Sequence, residues 1–252
     1  MSVKRIIITE PGFKDMMHKG AEIFSQAAKE SVEKRGHFVV ALSGGSTPRS
    51  MHRMLGEEPF YSDIPWAKTD IFWVDERCVA ENNPASNYGL ARKDFLEKIP
   101  IPQNQIHPMP VQTSPEQAAG IYQDVLADFF HLQMGDFPVF DLIFLGTGED
   151  GHTASLFPGD KSLDETKRLV ISVKGGEPFV NRLTMTFPVL NHARKIICMI
   201  SGKNKAKVVK TIIDFPKALL PVQRIQPVNG ILGWLLDSES ASILFKDSLD
   251  LG

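Results

Sequence analysis

The sequence predicts an α/β protein with a mainly parallel sheet and helices on both of its faces. Short apolar stretches alternate with helix-like stretches along the chain, a rhythm typical of βαβ units. Polar or glycine-rich loops directly follow the apolar stretches, and ligands bind at that edge of such sheets. The 252 residues, 42% hydrophobic and 23% charged, are ordinary for a globular unit with a large core. We therefore expect one domain spanning residues 1–252.

Apolar patterns predict the individual strands and helices along the chain. Unbroken apolar runs bounded by polar or glycine residues predict four strands, at 38–42, 70–74, 141–145 and 195–200. A fifth apparent strand begins near Arg182. Helical spacing, clearest for Ala118, Ile121, Val125 and Phe129, predicts helices in the segments 51–55, 87–96, 115–132 and 205–213. The segments expected to gather as loops at one sheet edge are 43–47, 75–77, 146–152 and 201–205.

Charge and cysteine content restrict the classes of function. The net charge of −2 gives no overall basic field for nucleic acid or anionic membranes. Cys78 and Cys198 are too few for a disulfide framework, and no residue cluster has the spacing of metal ligands. No stretch approaches the ~18 apolar residues of a membrane span, and the short apolar Ile6 to Ile8 run does not predict a signal peptide. We expect a cytoplasmic protein without a metal.

The loop at 43–48 reads Ser-Gly-Gly-Ser-Thr-Pro and has the features of an anion site. Gly44 and Gly45 expose backbone amides, Ser46 and Thr47 add hydroxyl donors, and Pro48 suits the first turn of a helix. It is not a Walker A loop, because no Gly-Lys-Ser/Thr sequence closes it. The alternative is a tight strand-to-helix turn with serine or threonine capping, and the loop alone does not decide between the two.

The segment 141–159 is the most informative in the chain. Its apolar run ends at a glycine turn, in which Asp150 and His152 stand two residues apart beside Gly148. Histidine, with an ordinary pKa of roughly 6.5, exchanges protons near neutrality. The pattern therefore predicts proton-transfer chemistry on a small anionic molecule, whereas the alternative is a histidine that is only hydrogen-bonded within the fold.

Residues 146–151 also match the Gly-x-Gly-x-x-Gly pattern of dinucleotide sites. Such a site needs an acidic residue about 20 positions further on, and the region near 171 has none. Pro158 and Gly159 also interrupt the helix that should follow. A nicotinamide oxidoreductase is therefore a weak alternative, which binding of NAD(P)H would revive.

Three cationic side chains are candidates for binding the anion. Arg77 follows Asp75 and Glu76 at the end of a predicted strand, Arg182 begins another, and Lys205 stands at the start of a helix. A cation at a helix start is poorly placed for the helix dipole but well placed to meet an anion. The alternative is that these residues belong to solvated turns and an exposed helix.

Together these segments resemble the 6-phosphogluconolactonase family. The matching segments span most of the chain: LSGGSTP at 42–48, WVDER at 73–77, SNYGL at 86–90, GTGEDGHTASLFPG at 146–159, RLTMT at 182–186 and SGKNKA at 201–206. The resemblance implies a modified Rossmann-like sheet, similar in fold to glucosamine-6-phosphate isomerase/deaminase, and an enzyme that needs no cofactor. It also implies a phosphorylated sugar lactone as substrate, no nucleic-acid or membrane partner, and a monomer or weak homo-oligomer.

The resemblance implies hydrolysis of 6-phospho-D-glucono-1,5-lactone to 6-phosphogluconate. On this interpretation His152 takes the proton from the attacking water, and Asp150 or Asp75 orients the imidazole or binds sugar hydroxyls. The phosphate and the developing oxyanion are expected to contact the remaining candidates: Ser43, Gly44, Gly45, Ser46, Thr47, Arg77, Gly148, Arg182 and Lys205. Which cation serves which group stays open.

Two other functions use the same residues. The deaminase branch shares the Asp-Gly-His core, but there the histidine is followed by a pattern like I-A-F-N-E, whose glutamate assists catalysis. Phe157 occupies the glutamate position here, and Arg77 stands where that branch usually has tyrosine. A non-catalytic sugar-phosphate sensor is the second alternative. Such regulators commonly carry an added DNA-binding segment, for which this chain offers no basic amino-terminal module.

Overall fold

The computed structural model describes residues 4–244, which contain two sheets. The strands are β1 Lys4–Glu10, β2 Phe38–Leu42, β3 Thr69–Trp73, β4 Asp75–Arg77, β5 Ile106–His107, β6 Leu142–Leu145, β7 Val170–Gly175, β8 Val180–Met185, β9 Lys195–Ile200 and β10 Ile231–Asp237. The larger sheet has the order β1-β10-β9-β6-β2-β3-β5, and every pairing in it is parallel. The predicted α/β class with a mainly parallel sheet is confirmed.

Helices connect the strands as expected from the alternating pattern. They are α1 Phe13–Arg35, α2 Ser46–Leu55, α3 Phe60–Asp63, α4 Asn87–Ala91, α5 Pro115–Phe130, α6 Phe187–Asn191 and α7 Ala206–Asp214. The predicted helix at 87–96 is divided, because a π-helical turn at Arg92–Leu96 follows α4. The helix predicted from residue 205 begins at Ala206, after a 3₁₀ turn at Lys203–Lys205. Within residues 4–244, none of the helices has the length and apolar character needed to cross a bilayer.

The strand order reverses between β2 and β6, which are adjacent at the centre of the sheet. From β2 the chain continues to β3 on one side, whereas from β6 it leads to β9 on the other side. The loops that leave β2 and β6 therefore diverge and open a crevice at the carboxyl ends of the strands. Both strands are fully buried, so these loops start from a rigid base.

The smaller sheet is antiparallel, with the order β4-β8-β7. Asp75–Arg77, which we expected to be a loop, is strand β4 and pairs with β8. The register places Asp75 opposite Thr184 and Arg77 opposite Arg182. The sequence did not reveal this strand because β4 is only three residues long and highly charged, and pairing with a distant segment creates it.

Several further elements were absent from the sequence-based prediction, among them strand β1 and the 23-residue helix α1. The buried face of α1 consists mostly of small or flexible residues, among them Met16, Met17, Ala21 and Ala28. Two buried serines, Ser25 and Ser31, interrupt its apolar pattern. Small side chains let the helix approach the sheet closely but leave a weak periodic signal in the sequence.

Helix α2 contains a buried histidine that should make folding sensitive to acid. The His52 ring packs on Phe95 with 5.1 Å between centroids, and its Nε2 atom has no hydrogen-bond partner within residues 4–244. Burial lowers the pKa of His52 to about 4. The unfolded chain therefore binds a proton at a higher pH than the folded chain does. We expect this group to lower the free energy of unfolding by up to about 3 kcal/mol as the pH falls from ~6.5 to ~4.

Urea unfolding of the wild type and the His52→Leu variant, at about pH 7 and about pH 4, measures this contribution. Leucine cannot be protonated, so the variant should lose less stability than the wild type between the two pH values. Equal losses in the two proteins would show that other groups cause the acid sensitivity.

Candidate active site

A cleft of about 460 Å³ opens where the loops after β2 and β6 diverge. Most of the candidate residues selected from the sequence line this cleft: Ser43, Gly44, Gly45, Thr47, Asp75, Arg77, Gly148, His152, Arg182 and Lys205. Asp150 is not part of the lining but contacts His152. The Ser46 side chain lies outside the described part of the structure. The fold thus brings together loops that are far apart in the sequence.

His152 and Asp150 form a hydrogen-bonded pair at the cleft. The Nδ1 atom of His152 lies 2.6 Å from Oδ1 of Asp150, and the backbone N–H of His152 donates to the same oxygen at 3.1 Å. Burial would raise the pKa of Asp150, but the donors of His152 outweigh it and hold this pKa below its usual value. An ionised Asp150 makes Nδ1 the protonated nitrogen. Nε2 then carries the lone pair that can accept a proton.

Gly148 is required by the geometry of this pair. A Cβ atom at position 148 would lie 2.1 Å from Nδ1 of His152 and 2.4 Å from Oδ1 of Asp150. The backbone N–H of Gly148 also donates to the carbonyl of His152 at 2.9 Å, which closes the turn. The residue is therefore a glycine because the two catalytic candidates occupy the space of its missing side chain.

Phe157 packs between the imidazole and one of the cations. Its ring centroid lies 4.8 Å from that of His152, and the Cζ atom of Arg182 lies 5.7 Å from the Phe157 ring. Phenylalanine has no proton to transfer, so this position contributes shape and an apolar surface. The neighbourhood of His152 thus lacks a carboxylate at the position that distinguishes the deaminase pattern.

Arg77 and Arg182 stand side by side across β4 and β8. Arg182 is buried, and its guanidinium donates to the carbonyls of Gly175, Glu177 and Pro178 at 2.8–3.2 Å. Burial lowers the pKa of Arg182, and the charge of Arg77 lowers it further. Both guanidinium groups stay charged at neutral pH. Two adjacent like charges facing a cleft favour the binding of an anion between or beside them.

Two further features add positive potential to the cleft. Lys205 is partly buried at the start of α7, and burial lowers its pKa while Glu149 and Asp150 oppose that effect. Helix α2 begins after Gly45, whose φ of +96° only glycine adopts without strain. The N-cap residue, Gly45, has no side chain to cap this helix start, and the first N–H groups of such a helix suit an anion.

Asp75 has a different environment from Asp150. It is buried, its Oδ2 atom accepts a hydrogen bond from Ser155 Oγ at 2.7 Å, and its Oδ1 atom has only a long contact of 3.4 Å with Asn87. The Nδ1–H of His152 donates to Oδ1 of Asp150, so Asp150 is the carboxylate placed to orient the imidazole. The cleft position of Asp75 leaves it suited to sugar hydroxyls.

The cleft also contains residues that sequence reasoning did not select, among them Asn87, Glu177 and Ser201. Asn87 lies in the SNYGL segment, which carried the family resemblance but offered no chemical reason to choose this residue. Glu76, behind the cleft, accepts three backbone N–H groups, from Arg77, Asn87 and Tyr88, each at 2.7 Å. Burial raises the pKa of Glu76 to about 7, while these hydrogen bonds act in the opposite direction.

Within residues 4–244, no group of three or more histidine, cysteine, aspartate and glutamate side chains is arranged to hold a metal ion.

Comparison with known proteins gives one consistent group. Residues 12–234 match the family model described as glucosamine-6-phosphate isomerases/6-phosphogluconolactonase. A 6-phosphogluconolactonase from Synechocystis sp. is 41% identical over 220 residues, which cover 85% of this chain and 88% of that protein. One from Nostoc sp. is 33% identical and covers 96% of this chain and 99% of its own length.

Solved structures agree. The 6-phosphogluconolactonase from Trypanosoma cruzi superposes with a TM-score of 0.86 at 30% identity, covering 97% of this chain and 98% of its own. A monomeric glucosamine-6-phosphate deaminase has a TM-score of 0.78 at 19% identity, covering 94% of this chain and 99% of its own, and so shares the fold.

Proposed function

This chain belongs to the family of glucosamine-6-phosphate isomerases and 6-phosphogluconolactonases, and on that premise we propose that it hydrolyses 6-phospho-D-glucono-1,5-lactone to 6-phosphogluconate, the lactone-opening step of the oxidative pentose phosphate pathway. The observation that carries the proposal is the His152–Asp150 pair, which faces a cationic cleft and has Phe157 beside the imidazole. The pair supplies a base for water, and the cations suit a phosphorylated substrate.

The reaction begins when Nε2 of His152 accepts a proton from a water molecule as the water oxygen attacks C1 of the lactone. The bond between C1 and the ring oxygen then breaks, and the ring oxygen takes the proton from Nε2 of His152 to become a hydroxyl group, which restores the neutral imidazole. The product is a carboxylic acid that ionises at neutral pH. A lactone is an activated ester, so no covalent serine intermediate is needed. General-base assistance contributes about 10²–10⁴-fold, and a fixed substrate orientation adds to it.

The remaining candidates bind the anionic parts of the substrate. Arg77, Arg182, Lys205 and the loop at 43–47 hold the phosphate and offset the charge that develops on the carbonyl oxygen. Asp75, which lies in the same cleft, accepts hydrogen bonds from sugar hydroxyls. Asp150 keeps the imidazole in the tautomer and orientation that the water requires.

The test generates the lactone in place with glucose-6-phosphate dehydrogenase and follows its disappearance with and without this protein. We expect the lactone to disappear faster than in the protein-free control, and we expect no release of ammonia from glucosamine 6-phosphate. Lactone loss at the spontaneous rate would contradict the proposed activity, and ammonia release would assign the chain to the deaminase branch.

We further propose a cytoplasmic location, one domain over residues 1–252, and a monomer or weak homo-oligomer. Both cysteines are free, as expected in a reducing compartment. Some similar plant proteins are named as chloroplastic, so localisation of the tagged full chain tests the first part of this proposal. Sedimentation of the purified protein over a range of concentrations tests the last.

A further inference from the structure

Asn87 is a buried polar residue of the cleft to which the mechanism above gives no role. It is the first residue of α4, and its side chain reaches the cleft wall. Its backbone N–H donates to Glu76 Oε1 at 2.7 Å, and the next N–H, from Tyr88, donates to Oε2 at 2.7 Å. The start of α4 is therefore fixed by a buried carboxylate.

The Asn87 amide joins the two functional residues of β4. Its Nδ2 group donates to the backbone carbonyl of Asp75 at 2.8 Å, and its Oδ1 atom accepts from Nη1 of Arg77 at 2.9 Å. The orientation of the amide follows from chemistry, because only the oxygen can accept from a guanidinium and only the NH₂ group can donate to a carbonyl.

The same amide packs directly against the glycine loop. A Cβ atom at Gly44 would lie 1.8 Å from Oδ1 of Asn87. Gly44 is thus a glycine because the amide occupies the adjacent space. The amide of Asn87 is the point at which the loop after β2, strand β4 and helix α4 meet.

Arg77 needs such a restraint because it lies opposite Arg182. Like charges that face each other across a sheet repel, so an untethered Arg77 would turn away from its neighbour when no anion is bound. The Nη1 group of Arg77 is held by Asn87 Oδ1 and by the carbonyl of Ala85 at 2.8 Å. Within residues 4–244, its buried Nε has no partner. The two acceptors thus fix one edge of the guanidinium.

We propose that Asn87 is a positioning residue that holds the guanidinium of Arg77 in the orientation required for the anionic substrate. The inference rests on the proposed role of Arg77 in substrate binding. Asn87 acts through Arg77, so its contribution depends on the presence of that side chain.

A double-mutant cycle tests this dependence. We expect Asn87→Ala to lower kcat/KM about 10–100-fold, the range for loss of a hydrogen bond to a charged group. We expect Arg77→Ala to cause a larger loss and the double variant to equal Arg77→Ala within about threefold. Asn82→Ala is the matched control. Asn82 is an exposed residue of the same loop that does not line the cleft, and we expect near-wild-type activity.

Rescue by guanidinium ion separates positioning from a structural role. In Arg77→Ala, millimolar guanidinium should restore part of the activity by binding to Asn87 Oδ1 and the Ala85 carbonyl. With Asn87→Ala added, we expect half-maximal rescue to need about tenfold more guanidinium. With Asn87→Asp instead, which keeps an acceptor oxygen, rescue should need no more guanidinium than in Arg77→Ala alone. Thermal melting confirms that each variant is folded.

The inference would be overturned if the fold-losses of Asn87→Ala and Arg77→Ala multiply in the double variant. It would also be overturned if rescue by guanidinium does not depend on residue 87. If Arg77→Ala itself retains full activity, the proposed role of Arg77 is wrong and the inference about Asn87 is wrong with it. A strongly impaired but measurable Arg77→Ala combined with an additive cycle would contradict the inference alone and leave the proposed function intact.

Discussion

Replacing His152 with alanine is expected to lower kcat about 10²–10⁴-fold, the usual contribution of a general base. The variant should fold normally, because the imidazole is partly exposed at the cleft and its removal leaves the buried strand β6 unchanged. KM should change little, since the cations proposed to bind the phosphate are separate residues. Steady-state lactone hydrolysis, corrected for the spontaneous rate, measures both constants.

The matched control is His37→Ala, which removes an exposed histidine outside the cleft lining. Its kcat should equal that of the wild type. Asp150→Asn should also lower kcat strongly, because an amide can donate to Nδ1 and place the proton on Nε2, the nitrogen that must accept it. Near-wild-type activity of His152→Ala would rule out His152 as the base.

Gly148→Ala is expected to lower kcat by about 10²-fold or more, although it adds only one methyl group. The new Cβ would stand 2.1 Å from Nδ1 of His152 and 2.4 Å from Oδ1 of Asp150, so the pair must move apart or rotate. Displacing a reacting group by about 1 Å costs roughly 10²-fold in rate. Measurement of kcat together with the thermal midpoint distinguishes loss of geometry from loss of folding.

Gly146→Ala is the control for this substitution because it lies in the same loop. A Cβ atom at position 146 has no neighbour within 4 Å among the described residues. We expect this variant to keep the His152–Asp150 contact and to lose far less activity than Gly148→Ala. Equal losses in both variants would show that the loop tolerates no methyl group anywhere, and the specific clash would not be the cause.

The sequence predicted the central strands and the loops that line the cleft because both leave local signals. The buried strands are unbroken apolar runs, and the loops combine glycine with acidic, basic and hydroxyl side chains. Loops that follow parallel strands meet at the carboxyl edge of the sheet. This rule predicted that residues more than 100 positions apart in the sequence lie close together. His152, Arg77 and Lys205 were selected in this way, and the structure places all three around one cleft.

Other features arise only from packing and have no local signal. Strand β4 forms because it pairs with β8. The buried face of helix α1 consists mostly of small or flexible residues, which give only a weak apolar pattern in the sequence. The sequence could not show whether Asp75 or Asp150 is the partner of His152. The 2.6 Å distance between Nδ1 of His152 and Oδ1 of Asp150 identifies Asp150 as that partner. Asn87 could not be selected from the sequence, because its importance lies in three contacts with segments elsewhere in the chain.

In the proposed mechanism, His152 removes a proton from water while that water attacks the lactone. The measurement that tests it most directly is kcat/KM in mixtures of H₂O and D₂O, with glycerol used to match viscosity. If one proton moves to His152 in the transition state, kcat/KM falls linearly with the deuterium fraction in the wild type. Equal values of kcat/KM in H₂O and D₂O would contradict proton removal from water in the transition state.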